Sequence, residues 1–288
     1  MEENRSQGDP LPAEALEYTV INKLAELPLS ARIPSRRIFE DDWRVRPTKA
    51  HPHPVILIHG TGVTKGDWME LGADLRTAGY AVFAPDFGLR ATAPVVESAN
   101  QISAYIHAVL TVTGAEKVVL VGHSQGGVLA RYWMQLLGGG DKTHQLICLS
   151  TPNHGTTSGG VAASLLRTQR AQALMGNMIQ GFFGPAGPDM LEESSVIAQL
   201  NEHGETLPGV YYTCIATHAD SLISPVESCF LEGEGVRNMF IQDIDRRALV
   251  LHEDMPRDKR VRALVLEEID RVNPGLPPID SSQTTDEE

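Results

Sequence analysis

KVVLVGHSQGGVLARYW, residues 117–133, changes its periodicity halfway along. Val118 to Val121 are four consecutive apolar residues, the pattern of a strand buried on both faces. From Val128 the apolar residues fall in pairs at helical spacing: Val128 and Leu129, Tyr132 and Trp133, Leu136 and Leu137. The period switches at Ser124, with almost no residues left for a loop. Gly122 and Gly126 flank that serine, and Gly127 follows. A strand that becomes a helix through Gly-x-Ser-x-Gly lifts the serine hydroxyl out of the end of a sheet, beside a helix N-terminus that favours negative charge. So tight a turn brings its flanks together, and side chains at 122 and 126 are expected to collide. An ordinary glycine turn is the bland alternative, disfavoured by the strand before and the helix after.

Strand patterns recur at 55–58, 80–84, 146–149, 210–216 and 238–241. Helical patterns lie at 67–78, 97–113 and 256–272, the last with Pro256 at a first helical position. The alternation predicts an α/β fold, a mostly parallel central sheet with helices on both faces. Residues 51–275 form the predicted domain. Residues 1–50, with a short helical pattern at 14–27, are expected to be an N-terminal arm, and 276–288 an acidic, disordered tail. Residues 155–207 interrupt the rhythm as a helical insertion broken by Gly181, Gly184, Pro185, Gly187 and Pro188. It reads equally as a lid or acyl-binding cap and as a simple helical excursion. Its Phe182, Phe183, Met175 and Met178 are candidates for an acyl-chain pocket, or equally for core.

A chain of 288 residues can bury a large core without help from disulfides or metals. Its 42% hydrophobic and 21% charged residues are those of an ordinary globular protein. A formal charge of −13 argues against nucleic acid as a partner, because phosphate binding needs clustered Lys and Arg. No apolar run is long enough to span a bilayer, which leaves only transient contact with a lipid interface. The N-terminus lacks the basic start and apolar core of a signal peptide, so a cytoplasmic location is expected, or export if the sequence is a mature form. Cys148, Cys214 and Cys229 show no metal-ligand spacing. Cys148 and Cys214 fall in strand patterns and are expected as small buried hydrophobes, with a Cys214–Cys229 bridge as the weaker alternative.

A serine hydroxyl needs a base to take its proton and a carboxylate to orient that base. In α/β-hydrolases, whose signature is this elbow, the acid and then the histidine follow the serine along the chain. Asp220 comes a short turn after the strand at 210–216, where a strand end delivers a residue to the site. Asp243 and Asp245 are the reserves. Of the five later histidines, His144 precedes a strand, and His203 sits in a polar loop. His154 could line the pocket, and His218 could shape the turn before Asp220. His252 lies in the long loop before the last helix, where this architecture puts its base. The oxyanion of acyl transfer needs two donors: the backbone N–H of Gln125, and Thr61 of the His59–Gly62 loop through its N–H and its hydroxyl.

These residues resemble the class 2 (bacterial) triacylglycerol lipase family. The resemblance runs through Asp42-Trp43, VILIHGTG at 55–62, Gly79-Tyr80, GHSQGG at 122–127, TPNHGTT at 151–157, ATHAD at 216–220 and FIQDID at 240–245. It covers most of the chain, in the family's order. It implies an esterase or lipase that acts on a small-molecule ester or lipid through Ser124, Asp220 and His252, without metal or cofactor. Many members carry cysteines near the Asp-Trp and Gln-Asp motifs, where this chain has Val45 and Ile244, a difference consistent with a reducing compartment. The acidic run after His252, Glu253-Asp254, also departs from the family pattern and could perturb the base. An acyltransferase with the same triad, and a binding protein that kept the fold without the chemistry, are the rival readings. Oligomeric state stays open.

Overall fold

The computed structural model describes residues 27–32, 37–157 and 179–276. All but the last residue of the helical pattern at 14–27, residues 158–178 with Met175 and Met178, and the tail beyond Leu276 lie outside the described residues. In chain order the main elements are β1 (Val55–Ile58), α1 (Met69–Thr77), β2 (Val82–Phe83), α2 (Val95–Thr113), β3 (Val118–His123) and α3 (Gln125–Leu136). They continue with β4 (Thr143–Leu149), α4 (Ser195–Asn201), β5 (Tyr211–Ala216), β6 (Val236–Phe240) and α5 (Lys259–Arg271). The six strands form one sheet in the order β2-β1-β3-β4-β5-β6, and every neighbouring pair is parallel.

Successive side chains of a strand point to opposite faces, so each strand feeds two cores. Ile56, Ile58, Leu120 and Leu146 meet Ile102 and Ile106 of α2 and Val128 and Trp133 of α3. Val55, Leu57, Val121 and Ile147 meet Leu71 and Leu75 of α1 and Val261 and Val265 of α5. Burial on both faces is why these strands read as unbroken apolar runs. Each fully buried aliphatic side chain contributes roughly 2 kcal/mol. Phe39, from ahead of β1, joins the second core and packs so closely on α1 that a Cβ at Gly72 would fall 2.2 Å from its ring.

Several element ends differ from expectation, each because a distant or non-periodic group intervenes. The strand expected at 80–84 pairs only over Val82–Phe83, since the Ala84 N–H donates to Asp41 Oδ1 at 2.8 Å instead of to a neighbouring strand. α2 starts at Val95 rather than 97, because Asp189 accepts the Val95 N–H at 3.0 Å from 94 residues away. The helix expected at 67–78 divides into a 3-10 turn, Lys65–Trp68, and α1. β6 begins at Val236 rather than 238, hidden by the exposed, charged Arg237 of an edge strand. Pro256 does not open α5. Asp258 caps it instead, accepting the Arg260 N–H at 2.9 Å, and Pro256 lies in the preceding connection. All three cysteines are free and buried, so there is no Cys214–Cys229 bridge. Among the described residues no helix is long and apolar enough to cross a membrane.

Candidate active site

Because all six strands run the same way, their C-terminal ends share one edge, and the loops leaving that edge meet above it. β3 ends at His123 and α3 starts at Gln125, so Ser124 alone makes the connection. Its backbone sits at φ 53, ψ −125, a region that is strained for any residue with a side chain. A Cβ at Gly122 would lie 2.4 Å from the Gly127 nitrogen, so the elbow does fold back on that position. Gly126 has a different reason from the one expected. Its Cβ would lie 2.0 Å from the Ile58 carbonyl oxygen, so glycine lets α3 start against the end of β1 rather than avoid position 122.

β5 delivers Asp220 through a turn closed by the Asp220 N–H on the Thr217 carbonyl at 3.2 Å. Asp220 Oδ2 lies 2.8 Å from His252 Nδ1, and both side chains are buried. Its other oxygen accepts the N–H groups of Leu222 and Ile223, each at 2.9 Å. Burial pushes the Asp220 carboxyl up, but the contact with His252 and the two N–H donors outweigh it and hold it below the usual carboxylate range. Thr217 and Gln242 tie these loops together, a role the sequence did not reveal. Thr217 Oγ1 donates to the Val250 carbonyl at 2.8 Å, and Gln242 Nε2 reaches Thr217 Oγ1 at 3.1 Å and the Ala248 carbonyl at 3.0 Å. Gln242 stood inside a motif, yet a neutral amide carries no sign of what it will clamp.

The other acids and histidines are occupied elsewhere. Asp243 accepts the Phe240 N–H at 2.8 Å, and Asp245 pairs with Arg260 at 2.9 Å. His144, at the start of β4 on the opposite edge, is 2.7 Å from the Val272 carbonyl. His154 does not line the cavity. It is bound to Glu205 at 2.6 Å. His203 is exposed, and His218 stacks on Phe240. Arg131, wholly buried in α3, donates to the carbonyls of Asn153 and Leu200, both at 3.1 Å, and so holds the loop after β4 against α4.

On the other side of Ser124, Thr61 Oγ1 donates to Gln125 Oε1 at 2.7 Å. The hydroxyl is therefore engaged, and the backbone N–H is the donor Thr61 has to offer. The Gln125 N–H is the first of α3 and has no intrahelical acceptor. The loop is braced from beneath: the Gly62 N–H donates to the Arg90 carbonyl at 2.7 Å. Leu89, Arg90 and Ala91 are all left-handed, at φ 49, 63 and 56. Such a turn costs about 1–2 kcal/mol per residue, and no glycine at those three positions announced it.

Ser124, His252, Asp220 and Thr61 border one cavity of about 670 Å³, within the usual range for ligand pockets. Val63, Ile179, Phe183, Met190, Leu191 and Ile223 make much of its wall apolar. Phe183 thus lines the cavity, whereas Phe182 does not; the Phe182 carbonyl accepts from Ser30 Oγ at 2.7 Å.

Two buried histidines support the site as neutral rings. His123 Nε2 donates to the His252 carbonyl at 2.9 Å, and burial, then the neighbouring His252, push its pKa down to about 3. Burial pushes His59, stacked on Phe87 at 4.2 Å, down to about 4. Below about 6.5 the unfolded chain takes up protons at both positions while the folded chain does not. The stability present above that pH is therefore lost as pH falls toward the folded values. At ~1.4 kcal/mol per pKa unit for each ring, the loss between pH 7 and 5 is roughly 4 kcal/mol. Urea unfolding at those two pH values measures it together with the share of His53, which burial also pushes down to about 4, and His123→Gln should remove about 2 kcal/mol of the dependence. An equally steep dependence in that variant would show that other groups set the acid limit.

The residues 52–252 match the family model described as Lipase (class 2). A triacylglycerol lipase of Pseudarthrobacter phenanthrenivorans is 30% identical over 123 residues, which is 40% of this chain and 38% of that protein. The match thus spans well under half the length of that curated relative. Among solved structures, Aspergillus fumigatus lipase B superposes with a TM-score of 0.60 at 20% identity, over 78% of this chain and 54% of the other. Paleococcus ferrophilus monoacylglycerol lipase gives 0.53 at 19% identity, over 76% and 96%. At such identities the two structures speak for the α/β-hydrolase fold.

Proposed function

The chain belongs to the class 2 lipase family, and from that premise we propose that it hydrolyses carboxylic esters of acylglycerol type through an acyl-enzyme on Ser124. The observation that carries the proposal is the meeting of Ser124, on its strained elbow, with the His252–Asp220 pair of 2.8 Å in one largely apolar cavity. The Ser124 hydroxyl attacks the ester carbonyl carbon while His252 Nε2 takes its proton. Asp220, on Nδ1, holds the ring's orientation and stabilises its charged form. The N–H groups of Thr61 and Gln125 receive the negative charge that develops on the carbonyl oxygen. Collapse of the tetrahedral intermediate breaks the bond to the leaving alcohol, which His252 protonates. Water then attacks the acyl-serine with His252 again as base, the acid leaves, and the proton returns to Ser124. The apolar wall suits the acyl chain, whose burial stabilises the complex by about 0.8 kcal/mol per CH₂.

Hydrolysis of p-nitrophenyl esters from acetate to palmitate, with intact-mass spectrometry on rapidly quenched samples, tests this reading. Turnover with an acyl group recovered on the peptide containing Ser124 is the expected result. Absence of turnover on every ester, or an acyl group recovered elsewhere, would overturn it. If an added alcohol captures most of the acyl group in preference to water, the enzyme is an acyltransferase with the same machinery.

A further inference from the structure

Besides Asp220, the cavity wall carries two carboxylates, Asp67 and Glu253, and no Lys or Arg among its described residues. Glu253 is exposed, whereas Asp67 is half-buried. Asp67 stands on the 3-10 turn Lys65–Trp68, just beyond the loop that bears Thr61. Trp68, fully buried, pins that turn in the core, and Thr64 caps it by accepting the Gly66 N–H at 3.2 Å. No hydrogen-bond donor among the described residues reaches the Asp67 carboxylate. Burial pushes its pKa up and the Glu70 carboxylate adds to this, whereas Arg257 and Arg37, and more weakly Arg90, oppose it through space. Each of those guanidiniums is engaged elsewhere: Arg257 with Asp254 at 3.1 Å, Arg37 with Glu70 at 3.4 Å, and Arg90 with the Ala31 carbonyl at 2.8 Å.

A carboxylate set without a donor in a mostly apolar wall gives up hydration that no direct partner replaces. We propose that Asp67 is a specificity-determining residue, which attracts a cationic group on the substrate and repels a carboxylate. Glu253 and Asp220 add charge of the same sign, and both remain when Asp67 is replaced. Through its chemistry the proposal rests on the ester-hydrolase reading, but the binding preference itself needs no turnover.

The test measures binding of decyltrimethylammonium and of decanoate by calorimetry at about pH 8, where the decanoate probe is an anion. Ser124→Ala protein serves as the host, so chemistry plays no part. The cation should bind at least about tenfold more tightly than the anion, as expected for one charge in a partly screened cavity. In Ser124→Ala/Asp67→Asn the ratio should fall to about threefold or less, and Asp67→Glu should keep most of it. A ratio unchanged by Asp67→Asn overturns the proposal. Asp67 is also an acid in the first turn of its helix, and if that is its whole role the substitution lowers Tm and leaves the ratio alone. A parallel comparison of kcat/KM for butyrylcholine and 3,3-dimethylbutyl butyrate carries the preference into catalysis. If no ester is hydrolysed, the p-nitrophenyl series included, while the binding ratio still depends on Asp67, the ester reading fails and the Asp67 assignment stands.

Discussion

Ser124→Ala should lower kcat for the best p-nitrophenyl ester by about 10⁴–10⁶-fold, the range seen when the nucleophile of a serine hydrolase is removed. The other serines and threonines that line the cavity, Thr61, Thr156, Thr157, Ser221 and Ser224, do not stand on the elbow at the N-terminus of α3, so none is expected to take its place. The loss should appear in turnover rather than in binding, since the apolar wall and the donors of Thr61 and Gln125 stay in place. Backbone strain supplies an internal control. At φ 53, ψ −125 alanine is as strained as serine, whereas glycine is not, so Ser124→Gly should be equally inactive yet melt higher than Ser124→Ala. A Ser124→Ala protein that retains more than about one-hundredth of wild-type turnover would place the nucleophile elsewhere.

Asp220→Asn should cost about 10⁴-fold in kcat, with little change in the ester's KM. An amide can no longer balance the charge that forms on His252, and its NH₂ group presents a donor where Nδ1–H needs an acceptor. The Leu222 and Ile223 N–H groups still find an acceptor in the carbonyl oxygen of the new side-chain amide, so the turn should survive the change. Asp243→Asn and Asp245→Asn are the comparison, because those carboxylates serve the Phe240 N–H and Arg260. Both should stay within about threefold of wild type, as surface substitutions away from a reacting centre do. Equal losses at 220 and 245 would mean that the loop, rather than one carboxylate, supports the base.

What could be read in advance was whatever depends on near neighbours in the chain. The strand into Ser124 and the helix out of it follow from periodicity, and the parallel sheet follows from the alternation of such segments. The first residues of α2 and α5 could not be placed that way. One is capped by Asp189 from across the molecule, and the other by Asp258 inside a stretch where Pro256 gave the stronger local signal. The left-handed turn at Leu89 to Ala91 carries no glycine at those positions. It exists because the Gly62 N–H and the Ala31 carbonyl fix both sides of Arg90.

The amino-acid sequence by itself determined the fold class, the elbow at Ser124 and a short choice of acids and histidines, since period, glycine spacing and chain order are local properties. Tertiary structure alone decided which of them meet. Asp220 and His252 stand 32 residues apart, on loops whose lengths and polar composition carry no periodicity. Thr217 and Gln242 bring those loops together, and Asp245 is drawn off by Arg260 on α5. The reason for Gly126 and the place of the Asp67 carboxylate in the cavity wall also come from this level. A side chain's neighbours across a sheet edge depend on how whole elements pack, and no segment of the chain encodes that alone.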